Sequence, residues 1–200
     1  KWNLHKRIAL SIIHLIGTNI KLIILGFMVA TAFLSMWISN TATTVMVLPM
    51  AISIVKQLKD NPDTPEDENK IFSKLLMLAI AYAASIGGIA TLIGTPPNLV
   101  FAGFVQKTYG VDISFWQWMK FGLPVASLLL VLAWLYLTRV AYPLRRSRFP
   151  GGKEEINRLL KELGPLGKEE KMVLFIFVLT AFCWISRSFL LQKIIPNIDD

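Results

Sequence analysis

The chain has 200 residues, 54% of them hydrophobic and 17% charged, with a formal net charge of +8. Its mean hydropathy is positive, and several apolar runs reach the ~20 residues of a bilayer-crossing helix, which excludes a soluble globular domain and points to an integral membrane protein. The basic residues cluster in loops beside apolar runs, so membrane topology accounts for the charge and no nucleic-acid partner is expected; the single Cys183 excludes a disulfide framework or a thiolate metal centre.

Residues 1–21 carry Lys1, Lys6, Arg7 and Lys21 around an apolar stretch too short to span. An interfacial segment is expected, or the end of a helix that began upstream. There is no signal-peptide pattern and no initiator Met, so the sequence reads as a fragment of a longer protein. His5 and His14 are too far apart for one metal site on a helical turn and read as interfacial residues.

Residues 22–55 form an apolar stretch interrupted by one polar patch, Ser39-Asn40-Thr41. As one straight helix this run would be roughly 50 Å long against a hydrocarbon core of ~30 Å, whereas two arms split at the patch would each fall slightly short of a crossing. That is the length pattern of a re-entrant hairpin. A tip inside the membrane must be enclosed by protein or line a watery cavity. Asn40 and Thr41 suit the N-cap of the second arm, whose free N–H groups would favour an anion. The carbonyl end of the first arm, with the oxygens of Ser35, Ser39 and Asn40, would favour a hard cation. Secondary transporters build substrate sites in this way, although polar residues in membrane bundles also serve simply to join helices.

Residues 56–74 form a polar loop with Pro62 and Pro65, expected on the cytoplasmic side; its acids lack the spacing of a calcium loop. The span 75–105 is broken. Pro96 and Pro97 cannot continue helical hydrogen bonding, so the helix is expected to open near Gly94. Gly87, Gly88 and Gly94 would admit close approach of backbone to a helix or an ion. The glycine spacing is not that of a phosphate loop, and a proline-kinked span is the plainer alternative.

Tyr109, Phe115, Trp116 and Trp118 have the pattern expected of an interfacial aromatic belt before the spanning run 121–138. The linker 139–171 carries Arg139, Arg145, Arg146, Arg148, Lys153, Arg158, Lys161, Lys168 and Lys171, which place it in the cytoplasm. Within it Ile156, Leu159, Leu160 and Leu163 recur at helical spacing, predicting an amphipathic helix along the membrane surface that stops at Gly164-Pro165. The final span is 172–191, with Arg187 near its far end able to snorkel. Counting crossings back from the linker returns residues 1–21 to the cytoplasmic side only if 22–55 enters and leaves by one face.

Two runs carry a family resemblance. Leu34-Ser35-Met36-Trp37-Ile38-Ser39-Asn40-Thr41-Ala42-Thr43-Thr44, followed by Leu48-Pro49, resembles the first Ser-Asn-Thr motif of the divalent anion/sodium symporters. Gly87-Gly88-Ile89-Ala90-Thr91-Leu92-Ile93-Gly94-Thr95-Pro96-Pro97-Asn98 is similar to that family's unwound helix. The resemblance extends to Glu169-Glu170-Lys171 before the last span and so covers essentially the whole chain. It implies an all-α membrane fold that is one half of an inverted-repeat elevator transporter, with a second half and the first spans lying elsewhere.

The resemblance further implies that Ser35, Ser39, Asn40 and the backbone at Gly94 hold a sodium ion. Ser39, Asn40, Thr41 and Thr95 would face the carboxylates of the substrate, expected to be a C4-dicarboxylate such as succinate, the sequence not choosing between succinate, citrate, malate and sulfate. A homodimer, assembled through a scaffold in the lipid of the cell's inner or plasma membrane, is implied as well. Moving a dianion into a cell negative by 100 mV costs about 4.6 kcal/mol at ~2.3 kcal/mol per charge, so cotransported cations are needed. Neither broken segment contains Asp or Glu, which favours sodium over a carboxylate proton relay. A sodium-independent exchanger of the same architecture and a non-transporting subunit are the alternatives; no nucleophile–base pair or cofactor motif suggests an enzyme.

Overall fold

The computed structural model describes residues 4–16, 19–59, 66–143 and 152–186. Every element among the described residues is helical: α1 (Leu4–Ile16), α2 (Ile20–Ser35), α3 (Asn40–Lys59), α4 (Glu66–Ile89), α5 (Pro96–Tyr109), α6 (Phe115–Tyr136), α7 (Gly152–Glu162) and α8 (Lys168–Ser186). α6 runs on into a π-helical turn, Leu137–Ala141. Pro62, Pro65, the Arg145, Arg146 and Arg148 cluster and Arg187 lie outside the described residues.

α4 is the central helix, packed along both α2 and α3 and against α6. Between apolar helices in a membrane, close packing of small residues replaces the hydrophobic driving force. Ala79, Ala83 and Ala84 of α4 and Ala30 of α2 are buried accordingly. A β-carbon at Gly87 would fall 2.6 Å from the Ala32 Cα, so that glycine sets how near α2 and α4 can come. Phe27, Phe72, Ile13, Ile54, Leu76 and Ile80 fill the core between these helices.

Sequence caps and breakers fix the helix ends. Asn19 opens α2, its Oδ1 accepting from the Lys21 N–H at 3.3 Å. Ser114 and Gln117 form a reciprocal capping box at the start of α6, at 3.3 and 2.9 Å. Among the described residues, two helices, Glu68–Ile89 and Phe115–Ala141, are long and apolar enough to cross a bilayer. α2 has 16 residues, about 24 Å, which is shorter than a ~30 Å core.

α1 lays Ala9, Leu10 and Ile13 into the core against α2. The apolar stripe of α7 meets protein too: Ile156 is fully buried against α1 and α3, with Leu159, Leu160 and Leu163 partly covered. α8 is largely exposed along its length. An aromatic chain fastens it to the turn after α2, with Trp37 to Phe177 at 5.2 Å, Trp37 to Phe115 at 6.2 Å and Phe115 to Trp184 at 6.0 Å between ring centres.

Candidate functional site

The turn between α2 and α3 occupies residues 36–39, and the polar residues in and beside it do different work. Ser39 is the cap of α3: its Oγ accepts the Ala42 N–H at 3.3 Å and its carbonyl the Thr43 N–H at 3.0 Å. The expected caps, Asn40 and Thr41, are instead the first residues of the helix. Ser, Asn and Thr are all good caps, and the residue with extended backbone just before the first turn takes the role. Asn40 is thereby freed to turn its amide inward.

Ser35 is fully buried, and its Oγ lies 2.7 Å from the Asn40 Oδ1 and 2.7 Å from the Ala84 carbonyl of α4. A hydroxyl has one proton, and a carbonyl can only accept. Three oxygens therefore converge on a single donated hydrogen at the hairpin tip.

The second break reaches the same place from α4. Its helix ends at Ile89, earlier than the opening expected near Gly94. Pro96 and Pro97 supply no N–H to carbonyls upstream, and they start α5 at a position where a missing N–H costs nothing. The residues between are held by side chains: the Asn98 Nδ2 donates to the carbonyls of Gly88 at 2.9 Å and Thr91 at 2.8 Å, and the Thr91 Oγ1 donates to the Met36 carbonyl at 2.5 Å. The Trp118 Nε1 of α6 donates to the Ile89 carbonyl at 2.9 Å.

Gly88 is the point of contact between the two breaks. A β-carbon there would lie 2.6 Å from the Asn40 Oδ1, and one at Gly94 would lie 2.5 Å from the Gly88 carbonyl oxygen. Ser35, Asn40 and Gly94 are thus brought together, with Gly88 between the last two. Ser39 and Thr41 are exposed beside them at the start of α3. Thr95 is half-buried at the start of α5 and makes no side-chain capping bond.

Gly88, Thr91 and Asn98 carry more of this arrangement than their sequence context reveals. The Gly87-Gly88 doublet is a visible signal of close approach. A polar Asn directly after two helix-starting prolines is a weaker one.

The N–H groups of Asn40 and Thr41 precede the first intrahelical bonds of α3 and give its positive end, while α2 and α4 direct carbonyls toward the same region. Among the described residues no group of three His, Cys, Asp or Glu could hold a metal ion. The oxygen donors at the tip are neutral, which suits a monovalent hard cation. A cavity of about 530 Å³ between α5 and α6, lined by Ile89, Phe101, Val111, Asp112 and Phe121 among others, has no basic residue in its walls and does not suit a dianion.

A separate group of charges involves α7. Glu155 accepts from the Arg158 Nε and Nη2 at 2.8 and 2.7 Å and from the Ser53 Oγ of α3 at 2.6 Å. The Arg158 hydrogen bonds hold its carboxyl below the usual glutamate range, against an opposing desolvation. At the other end of α7, Arg7 donates to the Leu163 carbonyl at 3.1 Å and pairs with Glu170 at 3.1 Å.

Comparison with known proteins adds independent findings. The family described as the sodium:sulfate symporter transmembrane region matches residues 1–199. The chain is 46% identical over 195 residues to the sodium-dependent dicarboxylate transporter SdcS of Staphylococcus saprophyticus, covering 96% of this chain and 37% of that protein. It is 47% identical over 195 residues to SdcS of Staphylococcus aureus strain USA300, covering 96% of this chain and 38% of that one. The chain therefore spans little more than a third of the length of these relatives.

Proposed function

The chain belongs to the sodium:sulfate symporter family as part of its transmembrane region, and from that premise we propose that it forms the hairpin-bearing portion of a sodium-coupled dicarboxylate carrier. The family is one of integral membrane symporters, not enzymes. The relatives' names speak for sodium as the coupling ion and a dicarboxylate as cargo. Within that class the proposed cargo is a C4-dicarboxylate such as succinate.

The observation that supports this reading most is the adjacency of the two breaks at Ser35, Asn40 and Gly88. In it, Ser35, Ser39, Asn40 and backbone at Gly94 hold sodium, and Ser39, Asn40, Thr41 and Thr95 face the substrate carboxylates. The excess of oxygens over protons around Ser35 is what a cation would relieve, and the N–H end of α3 is what a carboxylate would meet. The hairpin, the broken helix α4–α5 and α6 move as one body in an elevator cycle, linked by α7 to a dimeric scaffold in the lipid bilayer. A second, inverted half completes the site.

The test is uptake of labelled succinate into proteoliposomes by the full-length transporter carrying this chain, with and without Asn40→Ala. Sodium-dependent uptake that collapses in the variant is expected. Uptake indifferent to sodium would leave an exchanger and remove the coupling. Because the family description names sulfate, sulfate is the second reading of the cargo, and its competition against labelled succinate decides between them.

A further inference from the structure

The cavity of about 530 Å³ between α5 and α6 has the size of a ligand site, yet its chemistry does not fit the cargo. Phe101 of α5, Phe121 and Val125 of α6 and Ile89 at the end of α4 form its walls, and Asp112 lines it where α5 and α6 connect. That connection runs between Tyr109 and Trp116, aromatic residues of the kind that settle at a membrane interface.

The walls differ from the faces by which this chain packs on itself. α2 and α4 meet through small buried residues, Ala30, Ala79, Ala83 and Gly87, which is how helices approach closely in a membrane. Phe101, Phe121 and Val125 are bulky and exposed, and α5 reaches α6 through the rings of Phe101 and Trp118, whose centres are 6.1 Å apart. A rigid helix laid on such rings leaves gaps that forfeit dispersion contacts, whereas a flexible hydrocarbon chain fills them. Asp112 is the one charged residue lining the cavity, and it forms no ion pair among the described residues. The cavity is thus apolar along its length and negative at its interfacial end, which is complementary to an apolar chain with a cationic head.

We propose that this groove binds one aminophospholipid, with its primary ammonium on Asp112 and an acyl chain lying between Phe101 and Phe121 toward Ile89. Lys107 in the last turn of α5 and Lys120 near the start of α6 are exposed toward the same end and offset the phosphate charge. The chain's far end meets the contact by which α6 supports the unwound segment. There the Trp118 Nε1 donates to the Ile89 carbonyl at 2.9 Å, and a β-carbon on Gly122 would stand 2.8 Å from the same oxygen. A lipid in place keeps water from competing for that carbonyl.

The experiment places the full-length transporter carrying this chain in nanodiscs of phosphatidylcholine with a trace of phosphatidylethanolamine bearing a diazirine on its acyl chain. After illumination, labelled peptides are mapped. Labelling is expected at the walls between residues 89 and 125. Unlabelled phosphatidylethanolamine is expected to compete about tenfold better than phosphatidylcholine, whose quaternary ammonium donates no hydrogen bond to a carboxylate. Asp112→Asn is expected to abolish that preference, and Val125→Trp, which fills the groove, to abolish the labelling. Should Val125→Trp fail to fold, the exposed Asp112→Asn still decides. Amide exchange at residues 89–92 is expected to be slower in phosphatidylethanolamine than in phosphatidylcholine for the wild type, and equal in the two lipids for Asp112→Asn.

Labelling that both lipids suppress equally, or a preference that survives Asp112→Asn, would overturn the proposal and leave a non-selective boundary lipid. Labelling absent from these walls would overturn it as well, and would show that the rest of the transporter covers the groove. Exchange at 89–92 that is indifferent to the lipid would overturn the support of the unwound segment.

Discussion

Gly88 faces the amide of Asn40 so closely that a β-carbon on it would stand 2.6 Å from Oδ1 and 3.3 Å from Cγ. The neighbour is the end of a side chain, which can swing aside. At Gly87 the neighbour is the Ala32 backbone, with its Cα 2.6 Å from the same hypothetical atom, and backbone in a packed helix pair cannot yield. Gly88→Ala is therefore expected to fold normally and to displace Asn40, raising half-saturating sodium by about 10–100-fold, the range seen when a metal ligand loses its support. Gly87→Ala is expected to separate α2 from α4 and cost about 1–3 kcal/mol or more by overpacking. Gly103, which has nothing within 4 Å, supplies the neutral control. Thermal stability in detergent and sodium-activated uptake separate the cases, and equal behaviour of the two neighbouring variants would refute the distinction.

Asn98 closes the unwound segment with two hydrogen bonds from one amide, to Gly88 and Thr91. It is 7% exposed, so water cannot replace what a substitution removes. Asn98→Leu leaves the Gly88 carbonyl short of this donor and the Thr91 carbonyl with the Gly94 N–H at 3.3 Å, and is expected to cost about 1–3 kcal/mol. Amide exchange across residues 88–95 should rise well above that of α6 in the same protein. Exchange confined to α5, with 88–95 unchanged, would show that the amide does not hold the break.

The two breaks are legible in the sequence because polar residues and prolines interrupt apolar runs whose lengths a bilayer constrains. The finer assignments are not, for physical reasons. Ser39, Asn40 and Thr41 all favour the cap position, so local preference cannot choose among them. Asn98 gains its role only when Gly88 and Thr91 are folded back against it, and the partners of Ser35 lie on two different helices. The apolar stripe of α7 is plain from spacing, yet nothing local says that α1 and α3 cover it. The tie between Arg7 and Glu170 joins residues 163 positions apart, beyond any pattern of spacing.

α7 is docked on α3 through the Glu155 carboxylate, which the Arg158 hydrogen bonds hold below its ordinary pKa. A group whose folded pKa is depressed stabilises the fold at pH above its unfolded value, about 4.3 for glutamate, and that contribution is lost as pH falls through the lower, folded value. Docking of α7 is therefore expected to be independent of pH from neutrality down to about pH 4.3 and to loosen below it. Glu155→Gln removes the charge and is expected to show the loosened state already at neutral pH. Hydrogen exchange of residues 152–162 reads both effects. A wild-type α7 that loosens between pH 7 and 5, where this carboxyl keeps its charge, would contradict the assignment.

Arg7 joins three elements at once, reaching the Leu163 carbonyl at the end of α7 and the Glu170 carboxylate in the first turn of α8. Both charged side chains are sheltered, at 15% and 11% exposure, so solvent screens the pair only weakly. Glu170 has one further donor, the Gly167 N–H at 3.1 Å. Arg7→Ala strands that carboxylate and is expected to destabilise by up to about 3–5 kcal/mol, the cost of breaking a buried pair from one side. Glu170→Gln alone leaves Arg7 its carbonyl partner and is expected to cost less. In the double variant no charge is stranded, so the two losses should fall short of additivity, with a coupling of about 0.5–3 kcal/mol. Thermal unfolding of the four proteins in one detergent gives the cycle. Strict additivity would mean that the α1–α8 tie acts through packing of the arginine stem and not through the ion pair.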